Sequence, residues 1–184
     1  MGPGDGDRLS EEELLGQALF LLIAGHETTV NLIGNGMLAL LRHPDQLDRL
    51  RDDPSLDRNA IEELLRFDSP VQITQRITRA EYEVGGVTLP AGQNLVPLLG
   101  AANRDPDVFP DPGRLDLGRE NAHRHVAFGG GHHFCLGAAL ARMEGAVAIG
   151  SLIRRFSYLE LAGDPVRRTT FTLRGLQHLP VTVA

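Results

Sequence analysis

The chain has no tryptophan, two tyrosines and a single cysteine. One cysteine excludes an internal disulfide and suits a reducing cytoplasm. Positive charge is in deficit. The net charge is −6, which argues against a general nucleic-acid binder. Long apolar runs are missing too. The longest near the N-terminus, "ALFLLIAG", falls far short of the roughly 20 residues a membrane span needs. Acidic residues precede it, so it is not a signal peptide, and no membrane association is expected. Internal repeats are absent, and no disordered tract is expected beyond the opening "MGPGDGD". What remains is 184 residues, 42% hydrophobic and 23% charged, an ordinary globular composition large enough for one domain with a real core.

Ser10 followed by Glu13 fits a capping box, with Leu9 and Leu14 spaced as a hydrophobic staple. A long helix should start there and run to about Leu41, where His43-Pro44 stops it. It is apolar on nearly every side, so it should be buried in a larger body. "PDQLDRLRDD" reads as a short exposed helix opening with Pro44, and "AIEELLRF" as a third helix ended by "DSP". The stretches "QITQRIT", "YEVGGVTL" and "QNLVPLL" alternate like strands, with Gly85-Gly86 as a hairpin turn. Ala101 to His125 should be irregular. "LGAALARMEGAVAIGSLIRRF" should be a second long buried helix, and Tyr158 to Ala184 short strands with a turn near Arg174-Gly175. The fold class is mainly α, of the α+β kind, with a small sheet.

Three stretches carry chemistry. In "LLIAGHETTVNLIG", Glu27, Thr28 and Thr29 interrupt an apolar helix. A buried carboxylate or hydroxyl is costly unless paired or solvated. One reading is a satisfied core threonine with Glu27 at an edge. The other is a local opening: Thr28 bonds back to the Ala24 carbonyl, Gly25 leaves room for a small ligand, and Glu27 relays protons. In "EELLR", Glu63 and Arg66 share a helix face. A solvated surface pair is the ordinary outcome. A buried pair needs further partners, and Arg114 in "FPDPGRLDLGR" is the one expected.

The third stretch is "FGGGHHFCLG", which sets Cys135 behind a glycine loop at a helix start. A thiolate is the nucleophile or metal ligand, and a helix N-terminus lowers the thiol pKa. Free amide groups there can bond the sulfur, and Gly137 lets the helix approach a flat partner. Alternatives stay open at this level. His123, His125, His132, His133 and Cys135 allow a zinc site without the usual paired-cysteine spacing. A Cys–His nucleophile lacks an orienting partner. A phosphate loop lacks its Lys-Ser/Thr ending. A buried structural cysteine would not need the glycines.

Taken together, these stretches resemble the cytochrome P-450 superfamily, the haem-thiolate monooxygenases, in its soluble bacterial form. "AGHETT" is similar to the oxygen-activating stretch of the central helix, and Glu63-Leu64-Leu65-Arg66 to the Glu-x-x-Arg motif. "FPDPGRLDL" is similar to the meander whose arginine, here Arg114, completes a structural cluster. "FGGGHHFCLG" fits Phe-x-x-Gly-x-x-x-Cys-x-Gly through Phe128, Gly131, Cys135 and Gly137. The resemblance implies haem b (iron protoporphyrin IX) with Cys135 as its axial metal ligand, a role the thiolate plays in this family by donating electron density. Gly129 and Ala141 fall in the same cofactor-binding stretch. His133 and Arg76 match positions that hold haem propionates, and Ala24, Gly25 and Thr28 the distal surface. Ile73, Thr74, Thr172 and Leu173 match segments lining the substrate pocket.

The same resemblance implies a cytoplasmic enzyme that inserts one oxygen atom of O2 into a lipophilic small molecule. Thr28 would then act by hydrogen bonding and Glu27 in proton delivery. No flavin fingerprint is present, so electrons are expected from a separate ferredoxin or flavodoxin and its reductase. Arg119, Arg124 and Arg142 flank the thiolate loop and are expected to face that acidic partner. Family members are more than twice this length, so residues 1–184 are expected to be a partial domain running from the central helix to the C-terminus, with the N-terminal half absent. A non-catalytic remnant and, more distantly, a His/Cys zinc module are the rival readings.

Overall fold

The computed structural model describes residues 8–184; the opening tract "MGPGDGD" lies outside the described residues. Helix α1 spans Glu11–Leu41 behind the expected capping box. Ser10 Oγ accepts from the Glu13 amide at 3.2 Å, and Glu13 Oε2 accepts from the Ser10 amide at 2.8 Å, so two orphan donors are satisfied reciprocally. The expected staple is open: Leu9 and Leu14 are each 57% exposed.

Helix α2 (Pro44–Asp52) carries Pro at its start, where the missing N–H costs nothing. It lies at the surface as expected, with Pro44, Asp45, Asp48, Arg49 and Asp52 exposed, but one face is covered. Gln46, Leu47 and Leu50 are buried, because this face packs on the loop holding Leu115 and Leu117; Gln46 Oε1 accepts from the Leu117 amide at 3.0 Å. A 3-10 turn, Pro54–Leu56, leads into α3 (Asp57–Phe67), which starts three residues before the expected Ala60.

The strands are shorter than their patterns. β1 (Arg76–Ile77) pairs antiparallel with β4 (Asn94–Leu95), and β2 (Tyr82–Val84) with β3 (Val87–Leu89) across the Gly85-Gly86 turn. "QNLVPLL" does not stay extended, since Leu99 opens the short helix α4, Leu99–Ala102. Residues 103–127 are irregular apart from one 3-10 turn at Ala122–Arg124. Helix α5 is Ala138–Arg155. In the tail, β5 (Leu159–Leu161) pairs with β8 (Val181–Val183), and β6 (Val166–Arg167) with β7 (Leu176–His178). These are four two-stranded ladders rather than one small sheet.

The core lies where α1, α3 and α5 meet. Leu32, Leu40, Ile61, Leu64, Ile149 and Ile153 are at most 2% exposed. A Cβ at Gly145 of α5 would come 3.1 Å from Leu32 Cδ2, and one at Gly36 of α1 would come 2.9 Å from Ile149 Cδ1. The two contacts advance by the same four residues on each helix, so α1 and α5 run parallel, backbone close to backbone.

The expected burial of both long helices is met only on one stripe. In α5, Leu140, Met143 and Val147 are more than half exposed, and in α1 the run Leu19–Ile23 is 56–67% exposed. The apolar residues on those sides have no protein to pack against within residues 8–184. Among the described residues, no helix is long and apolar enough to cross a membrane.

Candidate functional site

The site rests on a buried anchor. Glu63 and Arg66 have fully buried side chains, paired at 2.7 Å. Arg66 Nε and Nη2 donate to the two Glu63 oxygens at 2.7 and 2.9 Å. Its remaining N–H groups donate to the carbonyls of Asn103, Pro112 and Arg114 at 3.0, 3.0 and 3.2 Å. The surface-pair reading therefore fails, and the pair is satisfied throughout. The third member of the cluster is not Arg114, whose side chain is exposed and which contributes only its carbonyl. It is Arg119, whose Nε lies 3.2 Å from the Glu63 carboxylate. The meander turns so that Arg119 points inward, and its other N–H groups donate to the carbonyls of Pro110, Asp111 and Arg114.

Above this anchor runs the thiol loop. Gly129 and Gly131 take φ of +71° and +66°, a left-handed conformation that only glycine adopts freely. The chain doubles back so that the Cys135 amide donates to the Phe128 carbonyl at 3.0 Å. Cys135 is exposed, three residues ahead of the first residue of α5, and its carbonyl accepts from the Ala138 amide at 3.3 Å. Gly137 has nothing within 4 Å of its missing side chain.

The zinc reading finds no geometry. Among the described residues, no three His, Cys, Asp or Glu side chains converge as a metal site. One of the five expected ligands, His125, turns inward and bonds Glu62 instead, at 2.9 Å.

The facing wall comes from α1. Thr28 Oγ1 donates to the Ala24 carbonyl at 2.7 Å, the expected back-bond. Gly25 has nothing within 4 Å of its missing side chain. Glu27 is ion-paired with Arg168 of the tail. One turn back from the Leu32–Gly145 contact lie Thr28 and Ala141, and two turns back lie Gly25 and Ala138. The parallel pair is thus packed at its middle, and toward this end, where the thiol loop leads into α5, Gly25 of α1 is exposed and Thr28 and Ala141 are only half-buried.

The tail and the first strands close one side. The Gln72 amide donates to the Thr172 carbonyl at 2.9 Å, and the Arg174 amide to the Pro70 carbonyl at 2.7 Å. Isolated bridges join Val71 to Leu173 and Ile73 to Leu98. Ile73, Thr74, Thr172 and Leu173 therefore sit on adjacent extended segments. Arg76 Nη1 donates to Thr74 Oγ1 at 2.8 Å, and His133 is exposed in the 3-10 turn Gly131–His133.

Of the three arginines expected to face a partner, only Arg124 is exposed. Arg119 belongs to the anchor. Arg142 donates to Glu62 through Nε and Nη2 at 2.6 and 3.0 Å and lies 4.5 Å from the Phe128 ring centroid. Sequence reasoning missed this Glu62–His125–Arg142 group, as well as Asn103, fully buried, whose Oδ1 accepts from the Val126 amide at 2.7 Å. Glu62 stands beside the singled-out Glu63, and that adjacency is the one sequence-level signal of the first; Asn103 has none. Burial pushes the Glu62 carboxyl up, but hydrogen bonds from His125 and Arg142, with Arg142's charge, outweigh it and hold the pKa at about 2.

Comparison with known proteins agrees with this geometry. A family model described as Cytochrome P450 matches residues 2–180. The chain is 56% identical over 183 residues to a vitamin D(3) 25-hydroxylase of Pseudonocardia autotrophica, covering 97% of this chain and 45% of that protein. It is 49% identical over 180 residues to a 6-deoxyerythronolide B hydroxylase of Saccharopolyspora erythraea, covering 96% and 44%. The crystal structure of P450BioI in complex with a hexadec-9Z-enoic acid ligated acyl carrier protein superposes with a TM-score of 0.94 at 47% identity, covering 98% and 47%. The chain spans a little under half the length of the relatives it matches. With its buried Glu63–Arg66 anchor and its glycine-looped thiol, the chain belongs to the cytochrome P450 family.

Proposed function

We propose that this chain is the cofactor-holding part of a haem-thiolate monooxygenase that oxidises a lipophilic small molecule with O2. The observation that carries the reading is Cys135: the sole thiol, exposed on a tight glycine loop that leads into α5, the helix packed parallel to the Thr28-bearing α1. The residues present fit haem b. Cys135 supplies one soft anionic donor. Gly25 and Gly137 leave both walls bare where a flat ring would lie. Phe134 and Leu136, 53% and 92% exposed, offer it an apolar rim. His133 and Arg76 are the hydrogen-bond donors that would hold its propionates.

Bound haem supplies O2 binding and activation at its iron. The protein's own part is to hold, orient and move protons. Thr28 presents a hydroxyl whose proton is committed to Ala24, so its oxygen faces the groove as an acceptor until the hydroxyl rotates. Glu27 delivers protons after leaving Arg168. Ile73, Thr74, Thr172 and Leu173 line the substrate side. The two relatives named as hydroxylases support an oxygen-inserting activity of the whole protein. Electrons come from a ferredoxin or flavodoxin with its reductase, in the cytoplasm, and Arg124 is the exposed cation by the loop that such an acidic partner meets.

The test is spectroscopic. The reduced, carbon-monoxide-bound, full-length holoprotein is expected to show the Soret band of thiolate ligation, and Cys135→Ser to lose it. An unchanged band in that variant overturns the assignment. A second reading, a chain that folds in part and turns nothing over, is favoured by the exposed apolar sides of α1 and α5. The isolated 184-residue chain is then expected to self-associate, bind haem weakly and lack activity. A monodisperse monomer with stoichiometric haem, by light scattering and titration, refutes it.

A further inference from the structure

Residues 129–137 of the thiol loop are mostly exposed and contain two left-handed glycines, so the loop's own sequence does little to fix it. The constraint has to come from the residues at its base. Both arms of the loop end on one carboxylate, Glu62 of α3.

On the entering arm, His125 Nε2 lies 2.9 Å from Glu62 Oε2. Its Nδ1 lies 3.1 Å from the Ala127 amide nitrogen. A backbone amide can only donate, so Nδ1 carries no proton and Nε2–H donates to Glu62. On the leaving arm, Arg142 lies two turns beyond Cys135 and grips the same carboxylate with Nε and Nη2 at 2.6 and 3.0 Å, a fork geometry that fixes direction as well as distance.

Between the arms sits Phe128. The Arg142 guanidinium covers its ring at 4.5 Å. The His125 ring packs against it at 5.7 Å between centroids, and Phe134 at 6.3 Å. Phe128 in turn accepts the Cys135 amide through its carbonyl at 3.0 Å. Glu62 thus holds His125 and Arg142, these hold Phe128, and Phe128 holds Cys135.

We propose that Glu62 is a positioning residue for the thiolate: acting through His125, Arg142 and Phe128, it clamps the base of the loop and sets the geometry of Cys135. This rests on the reading of Cys135 as the haem ligand. A solvated, decorative role does not fit a carboxylate with a side chain 9% exposed that binds one buried histidine and one arginine from elements 63 and 80 residues away.

The test uses the full-length holoprotein with Glu62→Gln and with His125→Phe, the latter keeping the ring that packs on Phe128 while losing both hydrogen bonds. In each variant, two readouts are expected to move. Hydrogen exchange of the Cys135 amide speeds up by tenfold or more. A fraction of the reduced carbon monoxide complex leaves the thiolate-type band for that of a neutral sulfur ligand. Lower thermal stability with an unchanged band and unchanged exchange in both variants overturns the clamp and leaves only a structural salt bridge. If neither variant retains haem, nitrogen-15 spectra of the diamagnetic carbon monoxide complex of wild type decide: a His125 ring protonated on Nε2 alone supports the clamp, and one protonated on Nδ1 refutes it. A wild type with no thiolate-type band would sink the haem-thiolate reading itself, an outcome distinct from all of these.

Discussion

Replacing Arg66 by alanine is expected to be among the most damaging single changes in this chain. The side chain is fully buried and makes five hydrogen bonds, two to Glu63, one to the Asn103 carbonyl and two to carbonyls of the meander. Its removal strands the Glu63 carboxylate with Arg119 and the Asp116 amide, 3.2 and 3.0 Å away, and takes the side-chain donor from the Asn103 and Pro112 carbonyls, while the Arg114 carbonyl keeps Arg119 at 3.1 Å. Breaking a buried pair this way costs about 3–5 kcal/mol, against a net stability of roughly 5–15 kcal/mol for a domain. Arg154–Asp57 is the internal control. It is also an arginine–carboxylate pair, at 2.7 Å, but both side chains are partly exposed, and such pairs contribute about 0–1 kcal/mol. Urea unfolding of Arg66→Ala and Arg154→Ala in the full-length protein separates the two. Equal losses in both variants, or a loss under about 1 kcal/mol for Arg66→Ala, would show that burial does not govern the pair.

The meander distinguishes its two arginines: Arg119→Ala is expected to lose measurable stability, and Arg114→Ala, exposed, to stay within about 0.5 kcal/mol of wild type in the same titration. Glu62, with a carboxyl held at about 2 rather than the ordinary 4.5, contributes stability that is fully present above pH 4.5. The unfolded chain takes up that proton first as pH falls, so the contribution is lost progressively toward pH 2, and the stability gap between wild type and Glu62→Gln should close over that window. A gap that is constant with pH would mean the carboxylate is not held ionised by its partners. Thr28→Ala should leave haem and substrate binding nearly intact while product formed per electron falls and peroxide rises; unchanged coupling would leave Thr28 a core hydroxyl bonded to Ala24 and nothing more. Gly131→Ala, at φ +66°, should cost about 1–2 kcal/mol from left-handed strain, read as a lowered melting temperature; no loss would show that the loop relaxes freely.

Features set by neighbours in the chain were legible before any fold was known. The Ser10–Glu13 box, the stop at Leu41 and the Gly85-Gly86 turn each depend on a few consecutive residues, as does the Thr28 back-bond to Ala24. Features set by folding back were not. Arg114 and Arg119 stand in one short run, and only the path of the meander decides which guanidinium meets Glu63. Glu62, His125 and Arg142 are brought together across three elements, with no local pattern to mark them. The depth of the long helices was misjudged for a related reason: an apolar sequence says that a surface wants cover, not whether residues 8–184 supply it.

The glycine crossing of α1 and α5 also makes a mechanical device. Gly145 and Leu32 form a fulcrum, and from it Ala138 and Gly25 lie seven residues away on their respective helices, arms of about 10 Å each. A Cβ added at Gly145 must push Leu32 from 3.1 Å, tighter than side chains normally accept, and the helices answer by tilting as well as by parting. A tilt at the fulcrum is multiplied by the arm. The gap between the thiol loop and Thr28 can therefore be widened or narrowed by volume changes at Leu32, Gly36, Gly145 or Ile149, none of which borders that gap. Variation at this crossing is a route by which related chains could tune the thickness of their slot while keeping every residue that faces it.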